Sequence, residues 1–149
     1  MSSYLIIDGY NLIGKSPALL KAKDKSMELA RSELFYLIQA YCGHHELEGI
    51  IVYDGGKRRR SVEKGSPTVI YSGRGETADT VIESFVYNLA DKSEAAVVTD
   101  DRAVANLVIG MGAFVTSTKM FGLEANSTMS SIRSFIEKRP HGVGGDICI

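Results

Sequence analysis

The sequence predicts an α/β fold with three layers, in which a mostly parallel central sheet is covered by helices on both faces. Two observations lead to this prediction. Short apolar runs typical of buried strands alternate with longer stretches in which apolar residues recur every three or four positions, as in amphipathic helices. Three of the apolar runs also end directly in acidic residues. In open parallel sheets the carboxyl ends of the strands form the edge where ligands bind, so these acids should form one pocket.

The first acidic run organises the chain, because a carboxylate and a carboxamide follow it within four residues. The strand from Tyr4 to Ile7 leads into Asp8, Gly9, Tyr10 and Asn11. The other two runs repeat this design: Ile50 to Tyr53 is followed by Asp54, and Ala95 to Thr99 by Asp100 and Asp101.

The intervening segments supply the helices and the outer strands. We expect helices over Met27 to Tyr41, about Glu76 to Leu89, Asp101 through Val108 with glycines 110 and 112 at its end, and Ser127 to the residue before Pro140. Further strands are predicted at Thr68 to Tyr71 and Ala113 to Thr116, and surface loops at Gly14 to Lys25 and Lys57 to Gly65.

Length and composition are typical of one globular domain, which we assign to residues 1–140 of the 149, with 141–149 as a flexible tail. The apolar fraction of 44% and the charged fraction of 23% are ordinary values. No apolar run is long enough for a membrane span and no cleavable leader pattern is present, so we expect a cytoplasmic protein without membrane association. Two distant cysteines, Cys42 and Cys148, are expected to be reduced thiols.

The acids predict a site for a hard divalent cation. Close carboxylates repel each other and raise each other's pKa unless a cation lies among them. Oxygen ligands without histidine or cysteine favour Mg²⁺ or Mn²⁺ over zinc, and such ions support phosphoryl transfer. The candidate ligands are Asp8, Asp54, Glu76, Asp79, Asp100 and Asp101. Asn11 and Thr99 could position a water molecule or a phosphate oxygen.

Each acid also has a simpler explanation. Asp8 could belong to a turn at the end of a strand, Asp101 could cap a helix, and Asp79 could be a solvated acid on a helix surface. Taken one at a time, these explanations are favoured. They account less well for the whole set, because all the acids fall at the same predicted edge of the sheet.

A cluster of cations follows the second acidic strand directly. A net charge of −1 gives no general reason to expect nucleic-acid binding, so local clustering must carry that argument. Phosphate contacts supply most of the affinity for nucleic acid, and a polyanionic substrate explains cations beside a metal pocket better than a solvated turn does. The candidate RNA-binding residues are Lys57, Arg58, Arg59, Arg60, Lys64 and Arg74. Tyr10 or Tyr71 could stack on a base, although packing in the core is the favoured role.

The ordered set of motifs resembles the YacP-like branch of the NYN domain family, which has the PIN-like nuclease fold. The resemblance runs from about Tyr4 to Ala125 and rests on Asp8-Gly9-Tyr10-Asn11, Asp54, Glu76-Thr77-Ala78-Asp79 and Val98-Thr99-Asp100-Asp101-Arg102. It implies a metal-dependent endoribonuclease, with Asp8, Asn11, Asp79 and Asp101 at the catalytic positions. In this branch it also implies a link to messenger RNA on the ribosome. Asp100 stands where the family usually has serine, so both Asp100 and Asp101 remain candidate ligands.

Three functions are compatible with these residues. The leading hypothesis is a hydrolase of RNA phosphodiester bonds, with metal on Asp8, Asp79 and Asp101. Asp54 and Glu76 would support these ligands or contact the metal through water. The alternative is an RNA- or ribosome-binding adaptor that kept the fold and lost turnover. A phosphatase for small esters ranks last, because no Asp-x-Asp nucleophile motif and no phosphate-binding glycine loop is present.

Overall fold

The computed structural model describes residues 3–56 and 58–138, which form six strands and six α-helices. The strands are β1 (Tyr4–Asp8), β2 (Glu48–Tyr53), β3 (Ser61–Glu63), β4 (Thr68–Tyr71), β5 (Ala95–Val98) and β6 (Phe114–Thr116). The helices are α1 (Gly9–Lys15), α2 (Pro17–Lys25), α3 (Met27–His45), α4 (Ala78–Tyr87), α5 (Arg102–Met111) and α6 (Thr118–Glu137). A short 3₁₀ helix, Lys92–Glu94, precedes β5.

One sheet contains all six strands in the order β3-β4-β2-β1-β5-β6. Every neighbouring pair is parallel except β3 with β4, so the prediction of a mostly parallel sheet is confirmed. The register places Ile7 of β1 opposite both Ile51 and Val98. Asp8 and Thr99 therefore leave the sheet at the same level, on adjacent strands.

Two apolar cores cover the two faces of the sheet, and this confirms the three layers. Residues that alternate along each strand divide between the faces, as the period of two in a strand requires. One core contains Leu5, Ile7 and Ile51 with the buried sides of α1, α2, α3 and α6. The other contains Ile6 and Ile50 with α4 and α5.

The prediction of a loop from Gly14 to Lys25 is wrong. Two helices, α1 and α2, occupy the region from Gly9 to Lys25 and meet at Ser16. Pro17 is compatible with helix here because it takes the first position of α2, where a missing N–H costs no intrahelical bond. The Ser16 hydroxyl caps the helix by accepting a hydrogen bond from the Leu19 N–H at 3.4 Å.

Three further boundaries differ from the predictions. α6 begins at Thr118 instead of Ser127, because Ser117 caps it and Phe121 and Ala125 extend its buried face. α4 begins at Ala78 instead of Glu76, because the Thr77 hydroxyl accepts from the Thr80 N–H and fixes the first turn. The predicted loop Lys57 to Gly65 contains β3, a three-residue antiparallel edge strand.

Cys42 is buried among apolar residues on the α3 side of the sheet. Cys148, the predicted tail and the last two residues of the predicted domain lie outside the described residues. Among the helices that are described, none is both long enough and apolar enough to cross a membrane.

Gly9 is required by a close approach between the start of α1 and β2. A Cβ atom at Gly9 would overlap the Tyr53 ring, at 2.6 Å from Cδ1 and closer still to Cε1. Because this ring is buried in the sheet, it cannot move aside freely. We expect Gly9→Ala to lower the free energy of unfolding by about 1–3 kcal/mol, as overpacking of a core does. Urea denaturation followed by circular dichroism measures this change.

Gly14 provides the matched control in the same helix, since a Cβ there meets no atom within 4 Å. Gly14→Ala should leave stability unchanged or raise it by up to about 1 kcal/mol, because alanine is the better helix former. Equal stability of the two variants would contradict the role assigned to the Gly9–Tyr53 contact.

Candidate active site

The acids that follow β1 and β5 lie where the connectivity of the sheet reverses direction. From β1 the chain builds outward through β2 and β4 on one side, and it later returns to place β5 on the other side of β1. A crevice forms at the carboxyl ends of strands at such a switch point, and it is the usual ligand site of open α/β sheets. Asp8 leaves β1 and Thr99 to Asp101 leave β5 at this point.

Asp8 is the partly buried carboxylate at the centre of the crevice. Its environment raises the pKa to about 6, chiefly through burial and secondly through the charge of Asp79, with a further contribution from Asp54. A hydrogen bond from the Thr99 hydroxyl, 3.4 Å from Oδ2, and the backbone amide of Asn11 act in the opposite direction. Burial and like charge therefore outweigh the hydrogen bonds that favour the ionised form.

Asp79 and Asp101 come from the first turn of α4 and the N-cap of α5. Burial raises the pKa of Asp79, and the neighbouring charges of Asp101, Asp54 and Glu83 raise it further. One oxygen of Asp101 accepts hydrogen bonds from the N–H groups of Ala103 and Val104 at 2.9 and 3.1 Å. Asp101 thus caps its helix, as its simpler explanation proposed, and also lies beside Asp79.

Asp54 completes the group from the end of β2. Its side chain is exposed, and Oδ1 accepts a hydrogen bond from the Ala78 N–H at 2.7 Å. This contact ties the end of β2 to the start of α4, the helix that carries Asp79. The structure therefore brings Asp8, Asp54, Asp79 and Asp101 together from four separate elements.

Asn11 and Thr99 connect the segments that carry the acids. The Asn11 carboxamide oxygen accepts from the Asp100 N–H at 2.9 Å, and the Thr99 hydroxyl oxygen accepts from the Asp101 N–H at 3.1 Å. Thr99 also donates to Asp8. These bonds hold the turn after β5 against the start of α1, so both residues have a positioning role that the sequence pattern did not indicate.

Asp100 points to a different partner. Its two carboxylate oxygens accept from the Thr118 N–H at 2.9 Å and from the Thr118 hydroxyl at 2.6 Å. Burial is the largest single influence and raises the pKa of Asp100, but these two bonds together with Lys15 outweigh it, and the net pKa is lowered. Asp100 anchors the start of α6, whereas Asp101 approaches Asp79, so the geometry favours Asp101 as the member of the acidic group.

Glu76 does not join the other acids either. Its carboxylate forms an ion pair with Arg60 and accepts from the Gly73 N–H at 2.8 Å. The bond from Arg60, followed by that from Gly73, lowers the pKa of Glu76. Glu76 therefore neutralises a cation of the basic loop, as we call residues 57–60 between β2 and β3, and we do not place it among the ligands.

The basic loop is exposed beside the acidic crevice. Arg58 and Arg59 are exposed before β3, and Arg74 is exposed after β4. The prediction that Lys64 belongs to this surface is wrong, because β3 is antiparallel and its last residues approach the opposite edge of the sheet. The Arg74 N–H donates to the Arg58 carbonyl oxygen at 2.7 Å, which fastens the loop to the segment after β4. Lys57 lies outside the described residues.

The chemical type of these side chains suits a hard cation. Neighbouring carboxylates help to raise the pKa of Asp8 and Asp79, and no histidine or cysteine lies among the four acids. Such a set matches the preference of Mg²⁺ and Mn²⁺ for oxygen. Within residues 3–56 and 58–138, however, no three Asp, Glu, His or Cys side chains converge closely enough to hold a metal ion as they stand.

An aromatic cluster lies beside the acids, and sequence reasoning named Tyr10 and Tyr71 of it but missed Tyr53 and Arg31. The Tyr53 ring packs against Tyr10 and Tyr71, with centroids 4.6 and 5.3 Å away, and Arg31 donates to the Tyr10 hydroxyl at 3.1 Å. Arg31 comes four residues after Met27 in the apolar stripe of α3, which places it at the margin of the buried face. The position of Arg31 at this margin was the sequence signal that could have identified it.

Comparison with known proteins agrees with this geometry. Residues 5–143 match the sequence model of the YacP-like NYN domain. The chain belongs to the YacP-like NYN domain family. It is 30% identical to the uncharacterized protein YacP of Bacillus subtilis (strain 168) over 140 residues, which cover 91% of this chain and 79% of the relative.

Two crystal structures of Rae1 (YacP) from Bacillus subtilis resemble the fold closely. A mutant form superposes with a TM-score of 0.80 at 28% identity, covering 93% of this chain and 83% of that chain. The second structure gives a TM-score of 0.76 at 28% identity, covering 91% and 80%. The chain is therefore a nuclease-like domain of the NYN and PIN-like type, which confirms the predicted family and fold.

The raised pKa of Asp8 makes stability depend on pH in a defined direction. Between about pH 4 and 6 the unfolded chain releases this proton while the folded chain keeps it, so stability falls as pH rises through this window. Asp8→Asn removes the effect. In chelator, we expect this variant to gain stability relative to wild type on going from pH 4 to pH 7, by on the order of 2 kcal/mol.

Urea denaturation at the two pH values measures the gain. Asp24→Asn is the control, because this aspartate lies exposed on α2. A gain of the same size in the control, or none in Asp8→Asn, would contradict the environment assigned to Asp8.

Proposed function

We propose that this domain is a metal-dependent endoribonuclease that hydrolyses phosphodiester bonds in RNA. The observation that supports the proposal is the placement of Asp8, Asp54, Asp79 and Asp101 around one crevice at the switch point of the sheet. Burial and like charge raise the pKa of both Asp8 and Asp79, so the crevice favours a cation over free ionised carboxylates. Membership in a nuclease-like family supports the same reaction class.

Asp8, Asp79 and Asp101 would hold Mg²⁺ or Mn²⁺, with Asp54 nearby to bind directly or through water. When bound, such a cation lowers the pKa of a coordinated water and polarises the phosphate oxygen. Thr99 fixes one oxygen of Asp8, and the cap bonds from α5 fix one oxygen of Asp101. Each of these two acids therefore has a second oxygen with which to face the crevice.

The exposed cations of the basic loop would bind the RNA backbone. Arg58, Arg59 and Arg74 lie beside β3 and β4 at the edge of the sheet that carries the crevice, and the repeating charge of a phosphate chain suits such a rim. Lys64 follows the antiparallel strand β3 and lies at the opposite edge, so we leave it out of this surface. Arg60 has a more structural part, because its pairing with Glu76 holds the loop against the start of α4. We further propose cytoplasmic messenger RNA, engaged at the ribosome, as the substrate.

One observation favours the second candidate, an RNA- or ribosome-binding adaptor without turnover. Asp54 and Asp101 each devote an oxygen to helix N–H groups, and no three acids of the described residues converge on one point. An adaptor would keep these acids for the bonds that they make within the fold. Metal binding and cleavage decide between the two functions.

Cleavage of a labelled single-stranded RNA by wild type and Asp8→Asn tests the proposal. Wild type should cut with Mn²⁺ or Mg²⁺ and stop in chelator. Asp8→Asn should lose at least about a hundredfold in rate while keeping its RNA affinity, because it removes a ligand without touching the basic loop. Gel analysis gives the rates and fluorescence anisotropy gives the affinities.

Asp24→Asn again serves as the control and should cut at the wild-type rate. A rate for Asp8→Asn equal to wild type would contradict the proposal. If purified ribosomes carrying messenger RNA are not cut either, while Mn²⁺ still raises the melting temperature of wild type, the adaptor would be the better description.

Neutralising the basic loop should weaken binding and its dependence on salt. We expect Arg58→Gln combined with Arg59→Gln to reduce the slope of log affinity against log salt by about 0.7 for each phosphate that the protein no longer neutralises. The control removes two exposed cations from α2, Lys21→Gln with Lys23→Gln, and should leave the slope unchanged. Equal slopes for both double variants would exclude the loop from the RNA-binding surface.

A further inference from the structure

A cavity of about 290 Å³ lies beside the acidic crevice, between α3 and the part of the sheet formed by β2 and β4. Its walls include Arg31, Tyr53, Tyr71, Glu28 and Glu63. Tyr53 connects it to the acids, because this residue directly precedes Asp54 and its ring lies against Gly9, the neighbour of Asp8. A cavity at the small end of ligand pockets suits one base better than a length of chain.

The wall of this cavity contains a buried polar group that lacks a partner. Tyr53 is only 2% exposed, and its hydroxyl is the one buried side-chain polar atom of the described residues without a hydrogen bond. Buried polar groups in folded proteins nearly always have a partner, so each exception calls for an explanation. Because this oxygen is closed off from solvent, a polar ligand in the cavity would supply the missing bond after a side chain of the wall moves aside.

Arg31 is the cation at the cavity, and most of its hydrogen-bond donors remain available to a ligand. The described residues contain one ion pair, Arg60 with Glu76, so Arg31 has no carboxylate at ion-pairing distance within that part of the chain. One guanidinium N–H goes to the Tyr10 hydroxyl. An arginine has five such donors in a planar fork, which leaves enough for two acceptors on a ligand.

Positively and negatively charged side chains both border the cavity, and their combination indicates which ligand would fit. Glu28 and Glu63 are exposed at its margin and disfavour a phosphate. A base that presents two acceptors on one edge and two donors on another matches an arginine opposed to carboxylates. Guanine has these features, with O6 and N7 as acceptors. The partly exposed ring of Tyr71, stacked at 26° on the buried ring of Tyr53, offers an aromatic surface beside it.

We propose that this cavity is a subsite for one guanine of the RNA strand, with Arg31 as its specificity-determining residue. The proposal rests on the proposed function, since it names a part of that substrate. In this subsite the Arg31 guanidinium donates hydrogen bonds to O6 and N7 of guanine, and a carboxylate of Glu28 or Glu63 accepts from the guanine N–H groups. The Tyr53 hydroxyl gains a partner on the same base.

Fluorescence anisotropy in chelator tests the subsite without cleavage. The probes are labelled uridine octamers that carry one central guanosine, inosine or adenosine, and an octamer of uridine alone. Wild type should bind the guanosine octamer about tenfold more tightly than the adenosine and uridine octamers, as one bidentate base contact provides. Inosine lacks only the exocyclic amine, so its affinity should fall between these values.

Arg31→Lys is the decisive variant because it keeps the charge and loses the fork. It should abolish the preference for guanosine while the affinity for the uridine octamer and the salt dependence stay unchanged. The matched control is Arg133→Lys, at an exposed arginine on α6, which should keep the preference. Tyr53→Phe should reduce the preference without lowering the melting temperature, because the hydroxyl has no partner to lose in the free protein.

Equal affinity of wild type for all four octamers would overturn the subsite, and so would a preference that survives in Arg31→Lys. A uniform loss of affinity in Arg31→Lys for every octamer would also overturn it, since that result indicates a structural role. Adding Mn²⁺ separates this proposal from the nuclease. Cutting without base preference leaves the nuclease and removes the subsite. Preference without cutting leaves the subsite, and it removes the nuclease when ribosome-bound messenger RNA also stays intact.

Discussion

Repulsion among carboxylates at one edge of a sheet is the constraint on which this molecule depends. Asp8 is held at the end of a central strand, where burial already disfavours its charge, and Asp79 and Asp54 add like charges nearby. Such a group would spread apart or take up protons if the backbone did not fix it. The parallel register fixes Asp8 beside Thr99, and the Thr99 hydroxyl compensates part of the cost with a hydrogen bond. A site that accepts this unfavourable arrangement is suited to a ligand that removes it, such as a divalent cation.

The acids that follow strands are also the acids that start helices. Asp54 receives the first N–H of α4, Asp101 receives two N–H groups of α5, and Asp100 receives the first N–H of α6. Carboxylates gain at these positions because the first N–H groups of a helix have no partner within it and the helix dipole favours negative charge there. The same residues therefore set the orientation of the helices and supply the charge of the crevice. Only Asp8, which begins α1 without a side-chain cap bond, is free of this second task.

Sequence reasoning succeeded where the signal is local and failed where partners are distant in the chain. The central strands were predictable because buried strands of a parallel sheet are continuous apolar runs, as Ile50 to Tyr53 shows. The placement of Asp8, Asp54, Asp79 and Asp101 at one edge followed from that topology. The pairing of Glu76 with Arg60, sixteen residues earlier, could not be read from the sequence. Nor could the contact of Asp100 with Thr118, since it depends on where α6 begins.

The order of the strands explains why the cations, the aromatic cavity and the acids can act on one ligand. Across the sheet, β3 and β4 carry the basic rim, β4 and β2 flank the cavity, and β2, β1 and β5 end in the acids. Adjacent strands are about 4.8 Å apart, so the cavity and Asp8 are separated by one or two such spacings. A single extended strand of RNA that crosses the edge from β3 towards β5 would meet cations first, then the cavity, and then the carboxylates. In the proposed function, RNA affinity, base selection and chemistry would therefore follow one another in the order of the strands.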